Sequence, residues 1–108
     1  MNRLVKTHLA FLRLIYSTNV KQRRAMLLSI TKEQLLVLLE VILNVFKGTF
    51  EVSDYYVGKL KPYKTAIRTL ASRRVGINRK KALLLRIQSI LPWLIKPVLF
   101  STKEDGSE

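Results

Sequence analysis

The chain has 108 residues, one domain's worth, and its 48% hydrophobic content is too high for an intrinsically disordered chain. With no cysteine, disulfides and thiolate metal sites are excluded. Twenty Lys and Arg face seven Asp and Glu, and the resulting net charge of +13 repels itself in any folded state unless a polyanion such as nucleic acid or an anionic membrane surface neutralises it.

The N-terminal stretch "MNRLVKTHLAFLRLIYS" has a basic start, with Arg3 and Lys6, and is apolar further on, but His8 and Arg13 interrupt the apolar run and no small-residue cleavage site follows. It predicts an amphipathic helix from Asn2 to about Ser17, with Leu4, Val5, Leu9, Leu12, Ile15 and Tyr16 on one face and Lys6 and Arg13 on the other. A second short helix is expected in "VKQRRAMLLSI", with Asn19 as its N-cap. Thr31 followed by Gln34 is a capping-box pattern, and Gly48 supplies a stop, so a third helix is expected between them. Glu33, Glu40, Asn44 and Lys47 form its narrow polar stripe. The rest of its surface is apolar, which predicts a central helix or a subunit interface in which Leu35, Leu39, Ile42 and Phe46 meet a partner.

Gly48, Gly58 and Pro62 mark "GTFEVSDYYVGKLKP" as a break, with Ser53 able to cap a short turn. Charge segregates beyond it. No acidic residue lies between Asp54 and Glu104, while eleven basic ones lie from Lys59 to Lys96. Pro62 in a first turn predicts a fourth helix to about Arg73, with Tyr63, Ile67, Leu70 and Ala71 inward. "RRVGIN" makes a corner, and Asn78 is the expected cap of a fifth helix that buries Leu83, Ile87, Ile90 and Leu91 until Pro92 interrupts it. The end, "LPWLIKPVLF", reads as an apolar anchor followed by an acidic tail.

The expected fold is therefore all-α, a small bundle of about four to five helices with a basic C-terminal half. Residues 1–97 form one helical domain (1–48 apolar, 49–58 a break, 59–97 basic), and 98–108 a flexible acidic tail. No run reaches the roughly 20 apolar residues of a membrane span, so a soluble chain is expected.

One histidine and seven scattered carboxylates supply no convergent catalytic set, and the glycines lack phosphate-loop spacing, so neither an enzyme, a metal site nor a cofactor site is expected. The predicted chemistry is polyanion binding by Lys59, Lys61, Lys64, Arg68, Arg73, Arg74, Arg79, Lys80, Lys81 and Arg86. Base-specific reading by a helix-turn-helix at "RRVGIN" is less favoured, because the second helix offers little beyond Arg79, Lys80, Arg86 and Gln88. Tyr55, Tyr56 and Trp93 are candidate stacking residues, Trp93 also a candidate core or interface anchor.

The order and spacing of His8, Phe11 and Leu12, of Gln22 and Arg23, of "EVILNVFKG", and of Tyr63, Lys64, Arg68, "LA", Lys80, Lys81, Leu83, Leu84 and "LP" resemble a family of short basic proteins encoded by Polinton (Maverick) elements and adintoviruses. That family is usually interpreted as similar to the small adenovirus core protein that condenses packaged DNA. The resemblance implies a non-enzymatic protein that binds and condenses double-stranded DNA without sequence preference, in a virion or host nucleus. Where the family pattern has Gly-Gly before "LP", this chain has Gln88 and Ser89. Its apolar content also leaves contact with a capsid protein, a second copy or an anionic membrane as an alternative.

Overall fold

A computed structural model of the protein describes residues 3–47 and 54–106, and all regular structure among them is helical. The order is α1 (Arg3–Thr7), α2 (Leu9–Ser17), α3 (Val20–Leu28), α4 (Lys32–Phe46), α5 (Asp54–Leu60), a 3₁₀ turn (Lys61–Tyr63), α6 (Lys64–Ala71), α7 (Ile77–Arg86), a second 3₁₀ turn (Gln88–Ile90) and α8 (Leu91–Gly106). The fold class is as expected, but the elements outnumber the four to five anticipated.

Each difference has a local cause. The first predicted helix is split at His8, whose ring Nδ1 donates to the Leu4 carbonyl at 3.0 Å. That carbonyl is the acceptor that the His8 backbone N–H has in an unbroken helix; the N–H instead donates to Val5 at 3.1 Å. Asp54 favours the N-terminus of α5, and the helix passes through Gly58 inside the stretch read as a break. α7 is capped two residues before Asn78, where the cap was expected: the N-cap is Gly76, after a corner in which the backbone N–H of Arg74 donates to Ser72 Oγ at 3.2 Å. Pro92 does not interrupt α7, which has already ended at Arg86; it lies in the first turn of α8, where its missing N–H costs nothing. α8 then runs through Pro97, and Val98 belongs to the core, so the helix crosses the expected domain edge. Ser53 and Gly48 lie outside the described residues.

Two of the predicted caps, Asn19 and Thr31, are present. Asn19 and Thr31 each accept from the backbone N–H of the glutamine three residues on, at 2.8 and 3.0 Å, and each glutamine side chain accepts from the cap residue's N–H. Both helix starts are thereby satisfied.

α4 and α8 form the centre. α8 packs on α2 and α4, α6 on α4, α7 on α3 and α6, and α1 closes over α4. Leu35, Val37, Leu38, Val41, Ile42 and Val45 of α4 are buried, as are Leu91, Leu94, Ile95 and Val98 of α8. Each fully buried aliphatic side chain contributes about 1.5–3 kcal/mol relative to exposure. The partner face expected through Leu35 and Ile42 is therefore corrected: both are 1% exposed within the chain's own core, Leu39 is half-buried, and the Phe46 side chain lies outside the described part.

One cation is also in the interior. Arg23, only 5% exposed, donates from Nε to the Ile15 carbonyl at 3.3 Å, from Nη2 to Thr18 at 2.7 Å and from Nη1 to Gln88 at 3.0 Å. These acceptors lie at the C-terminal ends of α2 and α7, where both helix dipoles present their negative poles. Burial lowers its pKa from the usual value, yet an arginine keeps its charge at neutral pH.

Candidate nucleic-acid interface

The ten predicted cations fall on four consecutive pieces of the C-terminal half: the end of α5, the 3₁₀ turn and α6, the α6–α7 corner, and α7. Lys59, Lys61, Lys64, Arg68, Arg73, Arg74, Arg79 and Arg86 are exposed, whereas Lys80 and Lys81 are half-buried. The helix period explains the split. On α7 the buried Leu84 lies four and three residues after Lys80 and Lys81, placing both lysines toward the core side, while Arg79 and Arg86, seven apart, share the outer stripe. None of the ten pairs with a carboxylate among the described residues. The one nitrogen–carboxylate contact seen there is elsewhere, where His8 Nε2 lies 3.3 Å from Glu33 Oε1.

Lys59, although exposed, also contacts α8: its Nζ lies 5.0 Å from the centroid of the half-buried Trp93 ring. This cation–π contact, worth about 0.5–1 kcal/mol at an exposed site, ties α5 to α8 and occupies a ring face that a base would need for stacking. The side chains of Tyr55 and Tyr56 lie outside the described part. Gln88, expected on an outward face, is 7% exposed and its Oε1 has no hydrogen-bond partner among the described residues, so it is unavailable to a base edge.

Two side chains not anticipated from sequence join this surface. α6 and α7 leave an open groove of about 350 Å³ between them, in which Thr65 and Thr69 face the Arg79 and Arg86 side. No linear signal marks these threonines, since their place depends on how α6 lies against α7.

Among the described residues no group of histidine, cysteine or carboxylate side chains is placed to hold a metal ion. No single helix among them is long and apolar enough to cross a membrane; α7 and the stretch 88–100 reach that length only as a pair bent by 70°. Compared with protein-family models, curated proteins and solved structures, the chain has no significant match in any of the three.

Proposed function

We propose that this protein binds double-stranded DNA through its phosphate backbone, without sequence preference, and condenses it. The observation that carries the reading is the run of eight exposed Lys and Arg side chains from Lys59 to Arg86 with no carboxylate partner among the described residues. An ordinary surface mixes both signs, and a one-sign field is kept where it draws in an oppositely charged partner. Of the outward positions on α7, only Asn78, Arg79 and Arg86 carry hydrogen-bonding side chains, too few to read a run of bases although Asn and Arg can each contact one, and enough to hold phosphates. In keeping with the resemblance to the Polinton and adintovirus proteins, the DNA is the packaged genome of a virus or virus-derived element. The protein acts as a core protein in the virion or host nucleus, with no enzymatic role.

The test is fluorescence anisotropy with unrelated duplex fragments between 50 and 200 mM salt. If six to eight phosphates are engaged, affinity falls on the order of 10³-fold or more across that range, equally for every sequence. No binding at 50 mM sinks the proposal, and flotation with anionic liposomes then becomes the relevant measurement. In that alternative, docking on a capsid protein or a second copy uses exposed apolar side chains such as Leu14, Leu36 and Phe100 rather than the buried face of α4.

A further inference from the structure

The groove between α6 and α7 has two chemically distinct rims and an apolar floor. On the α7 side are Arg79 and Arg86, both exposed. Seven residues at about 1.5 Å of rise place their backbones roughly 10.5 Å apart on one stripe. On the α6 side are Thr65 and Thr69, one turn apart. The Thr69 hydroxyl donates to the Thr65 carbonyl at 3.0 Å, whereas the Thr65 hydroxyl has no hydrogen bond among the described residues and remains a free donor. The half-buried Ala66 and Leu83 and the exposed Ala82 complete the lining, and no carboxylate is part of it.

We propose that this groove seats one phosphate–sugar–phosphate unit of a nucleic-acid strand, an assignment that rests on the DNA-binding reading and makes it specific. Each guanidinium forks onto one phosphate, the geometry in which arginine exceeds lysine. The free Thr65 hydroxyl adds a donor to a phosphate oxygen. The sugar, the least polar part of the backbone, lies on the alanine and leucine floor. A small inorganic anion uses one rim and leaves that floor wet, so a ligand with two anionic groups flanking a carbon ring fits better. Only one strand's backbone enters, so the groove takes single-stranded and duplex DNA alike and carries no base readout.

Three variants and one small probe test it. Ala82 is exposed, so Ala82→Phe fills the groove without changing charge. Arg79→Gln with Arg86→Gln removes two cations from the groove, and Arg73→Gln with Arg74→Gln removes two from the neighbouring corner. The expected result is that Ala82→Phe weakens duplex binding roughly tenfold, and that the Arg79/Arg86 pair loses clearly more than the Arg73/Arg74 pair at equal helicity. In amide NMR, deoxythymidine 3′,5′-bisphosphate should shift Thr65, Arg79 and Ala82 in the natural chain and not in Ala82→Phe. Equal losses for the two arginine pairs, or wild-type affinity in Ala82→Phe, overturn the seat, because the cations then act only as a field. If the natural chain ignores DNA yet the bisphosphate still shifts the groove, the seat stands and the DNA reading falls. A bisphosphate that shifts nothing overturns the seat whatever the DNA does.

Discussion

Arg23 and Arg24 are neighbours with the same side chain and opposite fates: one spans three backbone carbonyls in the interior, the other is exposed. Removing a buried donor that serves several acceptors costs more than its own net bonds, because the acceptors lose solvent as well as partner. Arg23→Ala should therefore destabilise the fold by about 2–4 kcal/mol in urea unfolding, with Arg24→Ala within about 0.5 kcal/mol of the natural chain. Arg23→Lys should fall between, since an ammonium keeps the charge near the two helix C-termini but cannot reproduce the planar fork. If Arg23→Lys matched the natural chain, charge against the dipoles would be the whole contribution. A charge count treats the two arginines alike, because the acceptors that separate them include Gln88, 65 residues away. Lys80 and Lys81 are set apart from the other eight cations in the same way, being half-buried where those are exposed. A run of cations reveals that a phosphate-binding face exists, and only the position of Leu84 in the packed helix shows which members of the run reach solvent.

At the scale of elements, signals carried within a few residues were legible and those carried by packing were not. Asn19 and Thr31 cap because the bond partners are three residues on: the sequence marked Thr31 with its Gln34 box and Asn19 as a cap, and the structure adds Gln22 as the second half of a box at Asn19. α5 was hidden because Gly58 weighs against helix in any propensity sum, and the contact that favours the helix, Lys59 on Trp93, is distant in sequence. Gly58 offers a check. A Cβ placed there meets nothing within 4 Å and the site is exposed, so Gly58→Ala should stabilise the fold by about 0.5–1 kcal/mol, read as a shift of the urea midpoint at unchanged slope. Destabilisation would mean that the chain around Gly58 needs a conformation other than helix. α8 was hidden by its prolines: Pro92 suits a first turn and Pro97 is carried inside the helix, where the burial of Leu94, Ile95 and Val98 outweighs the lost N–H.

For the whole molecule the governing quantities are charge and size. A duplex carries one phosphate per roughly 1.7 Å of axis, so thirteen positive charges neutralise about 22 Å of it, or six to seven base pairs. The protein measures 39 × 27 × 27 Å, and even its shorter dimension spans about 16 phosphates. A single file along one side of the duplex therefore leaves some phosphate charge uncancelled, and full neutralisation requires chains on more than one side. Such a coat presents cations to a neighbouring duplex, which is the physical step from binding to condensation. Titration of a long duplex in low salt, followed by electrophoretic mobility and light scattering, should show zero mobility near one chain per six to seven base pairs, with scattering rising at the same ratio. Zero mobility reached only at about twice that protein load would mean that half of the charge never approaches the duplex. Scattering that stayed flat through neutrality would leave a protein that coats DNA without condensing it, and the core-protein role would fall while backbone binding stood.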